Sequence, residues 1–153
     1  MNYQHYIPNQ RPFLPQDKKI VLVGGCFDIL HFGHIQFLEK ARKCGDYLMV
    51  ALEPDERIVQ SKNRIPIHTQ MERAQNLLAL RHVDHVIFLP LLHGFDDYLQ
   101  LVQQVKPHVI AITSNDPQRE NKQKQADAIG TQLVAVTDMI GNFSSSVIYR
   151  QNK

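Results

Sequence analysis

The chain has 153 residues, 43% of them hydrophobic and 21% charged, which suits one globular domain with a proper core and leaves no room for a second catalytic domain. Its 17 basic and 15 acidic residues give a formal net charge of +2 with no long run of either sign, so neither nucleic acid nor a membrane surface is the expected partner. No apolar signal core opens the chain, the longest apolar stretches are strand-sized, and Cys26 and Cys44 form no CxxC pattern; a cytoplasmic protein with two free thiols is expected.

Residues 1–18 read as an N-terminal tail. Tyr3, Tyr6, Pro8, Pro12, Phe13 and Pro15 follow neither helical nor strand period, as in a strap lying on the domain or on a partner. Residues 19–153 form the domain, in which short β-branched runs alternate with amphipathic stretches. That pattern predicts an α/β fold: an open parallel sheet of about five strands flanked by helices. The predicted strands are Ile20 to Val23, Tyr47 to Leu52, His85 to Leu89, Val109 to Ile112 and Gln132 to Val136. Ile35, Leu38 and Ala41 recur at helical spacing up to Gly45 and predict the first helix. Thr69 with Glu72 reads as a capping box opening the second, whose buried stripe includes Ala74, Leu77, Leu78 and Leu80. A third helix over Phe95 to Val105 is stopped by Pro107. A fourth is capped by Asp116, begins at Pro117 and ends at Gly130. A last short helix is expected to start at Ser144 to Ser146.

The chemistry concentrates in Val23-Gly24-Gly25-Cys26-Phe27-Asp28-Ile29-Leu30-His31-Phe32-Gly33-His34, between the first strand and the first helix. In an open parallel sheet this is where ligands bind, and the unpaired N–H groups and dipole of a helix start favour an anion. His31 and His34, three apart in the first turn, project to one side and can donate hydrogen bonds to a phosphate chain; if protonated, they offset charge growing on a leaving pyrophosphate. Gly24, Gly25 and Gly33 remove side chains where a nucleotide passes close to backbone. Two histidines at this spacing elsewhere would read as a surface or metal-type pair. Here the glycines, the aspartate and the strand–loop–helix placement favour catalysis, and His68, His82, His85 and His93 are not spaced to complete a zinc site.

Gly25 to His34 resembles the GxFDxxHxGH signature of the cytidylyltransferase-like nucleotidyltransferases, a superfamily with a Rossmann-like fold. The spelling Gly-Cys-Phe-Asp-Ile-Leu-His is most similar to the adenylyltransferase domain of bacterial ADP-heptose synthases, with glycerol-3-phosphate and choline-phosphate cytidylyltransferases and archaeal FAD synthetases as near relatives. The resemblance covers roughly Lys19 to Arg150. Lys62-Asn63-Arg64-Ile65-Pro66 resembles the family's Lys-x-Arg-Pro loop with one residue inserted, which brings Lys62 and Arg64 to the phosphates. Glu72-Arg73 and Arg81-His82-Val83-Asp84 resemble the family's helix and its Arg-Tyr-Val-Asp boundary, readable as nucleotide contacts or as helix-capping salt bridges. Asn142 to Ile148 resembles the Ser-Thr-Thr/Ser motif before the last helix, whose hydroxyls hold the outer phosphates.

The resemblance implies transfer of a nucleoside monophosphate from ATP or CTP to a phosphorylated small-molecule acceptor, with pyrophosphate as the other product. His31, His34 and Lys62 are its catalytic residues. Gly24, Gly25, Cys26, Phe27, Asp28, Gly33, Arg64, Asn115, Ser144, Ser145 and Ser146 bind the nucleotide and its phosphates. Asp28 reads equally as a carboxylate that organises the loop, and Cys26 as a small packing residue. Mg2+ is expected to arrive with the triphosphate, and no protein ligand is assigned to it. The resemblance also implies a homodimer. Two departures bear on the acceptor: Thr113-Ser114-Asn115-Asp116-Pro117 replaces the heptose enzymes' Gly-Gly-Asp-Tyr-like turn, and Thr137-Asp138 replaces the cytidylyltransferases' Arg-Thr pair. The alternatives are a glycerol-3-phosphate-type cytidylyltransferase, an FAD-synthetase-like adenylyltransferase and a non-catalytic nucleotide-binding module.

Overall fold

A computed structural model of the chain describes residues 2–137. Six strands form one parallel sheet: β1 (Tyr3–His5), β2 (Ile20–Gly25), β3 (Tyr47–Leu52), β4 (His85–Phe88), β5 (Val109–Thr113) and β6 (Gln132–Thr137). Their spatial order is β1-β4-β3-β2-β5-β6. Five helices cover it: α1 (Phe32–Arg42), α2 (Asp55–Lys62), α3 (Gln70–Leu78), α4 (Gly94–Val105) and α5 (Arg119–Ile129).

Strand side chains alternate between two cores, as the two-residue period requires. Val21, Val23, Leu48, Val50, Val86 and Phe88 face α1 and α3, whose Leu38, Ala41, Ala74 and Leu77 are buried among them. Leu22, Met49, Ala51, Ile87, Ile110 and Ile112 face the other way, toward Leu101, Val102 and Val105 of α4 and Ala126 of α5. Both faces of the sheet are therefore covered, which is why the central strands read as continuous apolar runs.

From β2 the chain winds outward through β3 and β4, then crosses back to lay β5 on the other flank of β2. That reversal opens a crevice beyond the carboxyl ends of β2 and β5. The glycines at the end of β2 and the start of α1 both face it.

Three elements depart from the sequence reading. The tail contributes a sixth strand: β1 pairs in parallel with β4, Tyr3 opposite Val86 and His5 opposite Phe88. Beyond it, Tyr6 is buried, Gln100 donates to Asn9, and Gln104 donates to the Gln10 carbonyl, so the segment straps β4 to α4. A three-residue strand is too short to show a period, so pattern could not find it. Second, Asp55 to Lys62 is helical, and Lys62 closes a helix instead of standing in a loop; Asn63, left-handed at φ 50°, turns the chain out of it. Third, α5 starts at Arg119, two residues after Pro117, because Asp116 takes the Gln118 N–H in a local turn before the helix begins. Its end is as expected, with Gly130 left-handed at φ 68°. The capping box on α3 is present in both directions, Glu72 N–H to Thr69 Oγ1 and Thr69 N–H to Glu72 Oε2. No helix among the described residues is long and apolar enough to cross a membrane.

Candidate active site

The crevice holds a cavity of about 290 Å3. One wall is the end of β2 and the start of α1: Gly24, Gly25, Cys26, Phe27, His31, Gly33 and His34, with Lys62 from the end of α2. A Cβ on Gly24 would meet only the Ala51 carbonyl, at 3.8 Å, so its bareness keeps the cavity open. At Gly25 a Cβ would come within 2.8 Å of the Phe27 ring. Phe27 itself sits at φ 48°, buried, with its ring edge-on to His34 at 5.1 Å between centroids. The strained turn and the small residue before it thus hold a rigid aromatic floor under the second histidine.

His31 caps α1. Its Nδ1 accepts the backbone N–H of His34 at 3.4 Å, which leaves the ring proton of the neutral imidazole on Nε2. The two rings stack with centroids 3.7 Å apart and an interplanar angle of 23°. Burial pushes the His34 imidazole down to about 3, helped by the neighbouring His31 and Lys62, and burial followed by Lys62 pushes His31 down as well. Both are therefore neutral at pH 7 in the free chain. His31 presents its Nε2 proton beside the Lys62 ammonium, while the ring N–H of neutral His34 is given to the Ile29 backbone carbonyl and its Nδ1 is left without a proton.

Asp28 is 1% exposed and organises the loops around the site. Its carboxylate accepts from Arg64 Nη1 at 2.5 Å and from the N–H groups of Ile67 and His68 at 3.0 and 3.1 Å. Burial pushes its carboxyl up, but the Arg64 guanidinium and the two N–H groups outweigh burial and hold it below the ordinary carboxylate range. Arg64 was expected at the phosphates; the structure instead places its guanidinium on Asp28, away from the cavity lining. The pair ties the turn before His31 to the segment after Lys62, and so fixes the two segments of this wall that carry the histidines and the lysine.

Arg73, read from sequence as a nucleotide contact or a helix-capping salt bridge, is fully buried. It donates to the carbonyls of His68, Cys26 and Glu53 and to the Asp55 carboxylate, at 2.6 to 3.1 Å. One side chain thus joins the loop after β2, the loop after β3 and the start of α2. On the same flank Arg57 of α2 donates to the Leu92 carbonyl and the Tyr98 hydroxyl, while Tyr98 donates to Glu53 at 2.6 Å, so the helix ending in Lys62 is held against α4.

The facing wall comes from β5, the start of α5 and the end of β6, and includes Ala111, Ile112, Thr113, Asp116, Pro117, Lys122 and Thr137. Of the predicted turn, Asn115 is exposed and outside the lining, while its neighbour Asp116 lines it. Lys122 had no sequence signal, because a lysine in a polar helical run looks like solvated surface; only the return of α5 over the β5 end brings it inward. Ser144, Ser145 and Ser146 lie outside the described residues.

A family model described as cytidylyltransferase-like matches residues 22–151, which takes in both walls of the crevice. The chain is 32% identical over 161 residues to a protein named bifunctional protein HldE from Campylobacter jejuni strain RM1221, an alignment spanning all of this chain and 32% of that protein. It is 50% identical over 97 residues to an FAD synthase from Thermococcus kodakarensis, spanning 62% of each. The chain thus spans less than two thirds of the length of either relative. Among solved structures, a lipopolysaccharide core biosynthesis protein from Thermoplasma volcanium GSS1 superposes with a TM-score of 0.65 at 27% identity, over 79% of this chain and 98% of that one. The match extends over most of the chain and includes the switch-point crevice with its two histidines: the chain belongs to the cytidylyltransferase-like family of nucleotidyltransferases.

Proposed function

We propose that the chain transfers the adenylyl group of ATP to a phosphate monoester, releasing pyrophosphate, with a sugar 1-phosphate of the heptose kind as the acceptor. The observation that carries this reading is the stacked, neutral His31–His34 pair beside Lys62 at the start of α1, in a cavity whose strand end is bare glycine. An acceptor phosphate oxygen attacks the α-phosphorus and the bond to the pyrophosphate oxygen breaks in line. No side-chain nucleophile is needed, so positioning and electrostatic stabilisation supply the rate. His31, with its proton on Nε2, donates to the bridging and leaving oxygens, and His34 joins it through Nδ1 once the bound polyanion draws a proton onto that nitrogen. Lys62 offsets the negative charge that grows there, and the positive end of the α1 dipole adds to it. Ser144 to Ser146 are proposed to hold the far end of the triphosphate.

Mg2+ fits this site as an ion carried by the nucleotide. No three His, Cys, Asp or Glu side chains among the described residues are grouped to hold a metal, and the carboxylates of buried Asp28 and half-buried Asp116 are already engaged by Arg64 and Lys122. Phosphate oxygens and water would supply its ligands, and its charge would shield the triphosphate. Such a reaction draws on free nucleotides and phosphorylated metabolites, which places it in the cytoplasm.

A second reading, flavin mononucleotide as the acceptor, is favoured by the 50% identity to an FAD synthase over 97 residues. The deciding experiment is pyrophosphate release with Mg2+ and either ATP or CTP, against heptose, glycerol, choline, ribitol and flavin phosphates, with the His34→Ala protein as blank. Release with ATP and heptose phosphate is expected. Release with flavin mononucleotide alone selects the second reading, and release only with CTP assigns the chain to the cytidylyltransferases. Bound nucleotide with silence on every pairing would make the chain a binding module.

A further inference from the structure

Helix α2 carries Lys62 to the crevice, yet little in the helix itself fixes where it lies. It has eight residues, too few to be stable alone, and only Ile58 is buried. Among the described residues no hydrogen bond or ion pair holds the Lys62 ammonium. The ammonium nonetheless stands close enough to Cys26, His31 and His34 to bias the charge of all three. Its place is therefore the place of the helix, and polar contacts along the helix set that place.

At the start of α2 the Asp55 carboxylate is bound by buried Arg73 at 2.6 Å. Arg57 anchors the side of the helix to the β4–α4 loop and to α4: its Nη2 donates to the Leu92 carbonyl and, at 3.3 Å, to the Tyr98 hydroxyl. Glu53, just past β3, holds both partners of that contact. Its Oε2 faces Arg57 Nε at 3.5 Å and its Oε1 accepts from the Tyr98 hydroxyl at 2.6 Å. Burial and the Glu53 carboxylate push the Tyr98 hydroxyl up, so it stays protonated and keeps donating. The Glu53 and Arg57 side chains are 13% and 26% exposed, which strengthens these bonds relative to a solvated surface. None of Glu53, Arg57 and Tyr98 lines the cavity.

A helix that pivots on its Asp55 end carries Lys62, at its other end, the furthest. A shift of about 1 Å at a reacting centre is enough to cost turnover. We propose that Arg57, held by Glu53 and Tyr98, is a positioning residue for Lys62, setting where the ammonium meets the charge that grows on leaving pyrophosphate. The inference rests on the nucleotidyl-transfer reading above and adds to it three side chains outside the crevice.

The test measures kcat and KM for pyrophosphate release on the nucleotide and acceptor pairing that works in the panel above, ATP with heptose phosphate being the one expected. The proteins are the full chain, Lys62→Ala, Arg57→Gln, Tyr98→Phe and the double variant Arg57→Gln/Lys62→Ala. Lys62→Ala is expected to lose about a hundred-fold in kcat. Arg57→Gln should lose about ten-fold and Tyr98→Phe about three-fold, with KM for ATP within about three-fold, because the lost interaction belongs to the transition state. In the Lys62→Ala background Arg57→Gln should cost less than about two-fold more, since a residue that acts through Lys62 has nothing left to position. Melting temperatures show which variants remain folded, and Tyr98→Phe, which removes one hydroxyl, keeps the test open if Arg57→Gln does not. A full further ten-fold loss in the double variant would overturn the inference, because Arg57 would then act on the fold and not through Lys62. Unchanged kcat in Arg57→Gln and Tyr98→Phe, beside a crippled Lys62→Ala, would overturn it and leave the transfer reading intact. Lys62→Ala within a few-fold of wild type would overturn it by removing the ammonium from the chemistry. No release by the wild type on any pairing would overturn both.

Discussion

His34 is where a single side chain decides most. Its ring is stacked on His31, set edge-on to Phe27 and hydrogen-bonded at the Ile29 backbone, so it is preorganised and cannot swing away from the cavity. Removing one preorganised donor from a transition state costs about a hundred-fold or more in turnover, and His34→Ala is expected to lose that much pyrophosphate release. Turnover within a few-fold of wild type would remove the ring from the chemistry. The same burial has a thermodynamic signature. The imidazole titrates at about 3 in the folded chain, against about 6.5 when unfolded. Between those values the unfolded chain binds more protons, so stability rises with pH across that window and is lost progressively as pH falls below about 6.5. The wild type should therefore lose more melting temperature between about pH 7 and about pH 5 than His34→Gln does. Equal losses in the two proteins would mean that the ring is solvated in the native state.

At the scale of elements, the loops that shape the crevice are held by buried charges whose partners are distant in sequence. Arg73 binds carbonyls at positions 26, 53 and 68, and Asp28 binds groups at 64, 67 and 68. Arg73→Leu keeps roughly the volume but strands three carbonyls and the Asp55 carboxylate, a loss of about 3 kcal/mol or more. Denaturant unfolding should register it as a lower midpoint with an unchanged slope; a near-neutral result would mean that water replaces the guanidinium. These tertiary roles separate what was legible in sequence from what was not. Five strands, the capping box on α3 and the Gly130 stop were readable because period and capping are local. The glycine and histidine turn was readable because its residue types and spacing are confined to a dozen positions. The destinations of Arg64, Arg73 and Lys122 were not. A cation in a polar stretch carries the same local signal whether it meets solvent, a buried carboxylate or a cavity, and only the sheet order decides which. Helix α2 was missed for a similar reason: within its eight residues only Ile58 is buried, too few to mark a face.

For the molecule as a whole, the sheet is asymmetric about the site. The crevice sits between β2 and β5, while β1 closes the β4 edge on the far side. The strap covers groups that would otherwise be open: Gln4 bonds the buried His85 at 3.0 Å, Tyr3 and His5 pack on Phe88 at 5.5 and 4.9 Å between ring centroids, and Tyr6 donates its N–H to the Phe88 carbonyl. Burying the Tyr6 side chain, with partial cover of Phe88, contributes about 2 to 3 kcal/mol by area removed from water. The contribution is separable from catalysis, because none of residues 2–15 lines the cavity and β4 and β3 stand between β1 and β2. A chain beginning at Gln16 is therefore expected to bind ATP within about three-fold of the full chain while melting several degrees lower. It should also scatter light on standing, since an uncovered β4 edge offers unpaired backbone groups and Phe88 to a second copy. Unchanged melting would mean that the strap is only laid on the surface. A large loss of ATP affinity in a chain that still melts cooperatively would mean that the strap reaches the crevice through β3 and β4, and would make the N-terminal segment part of the nucleotide site.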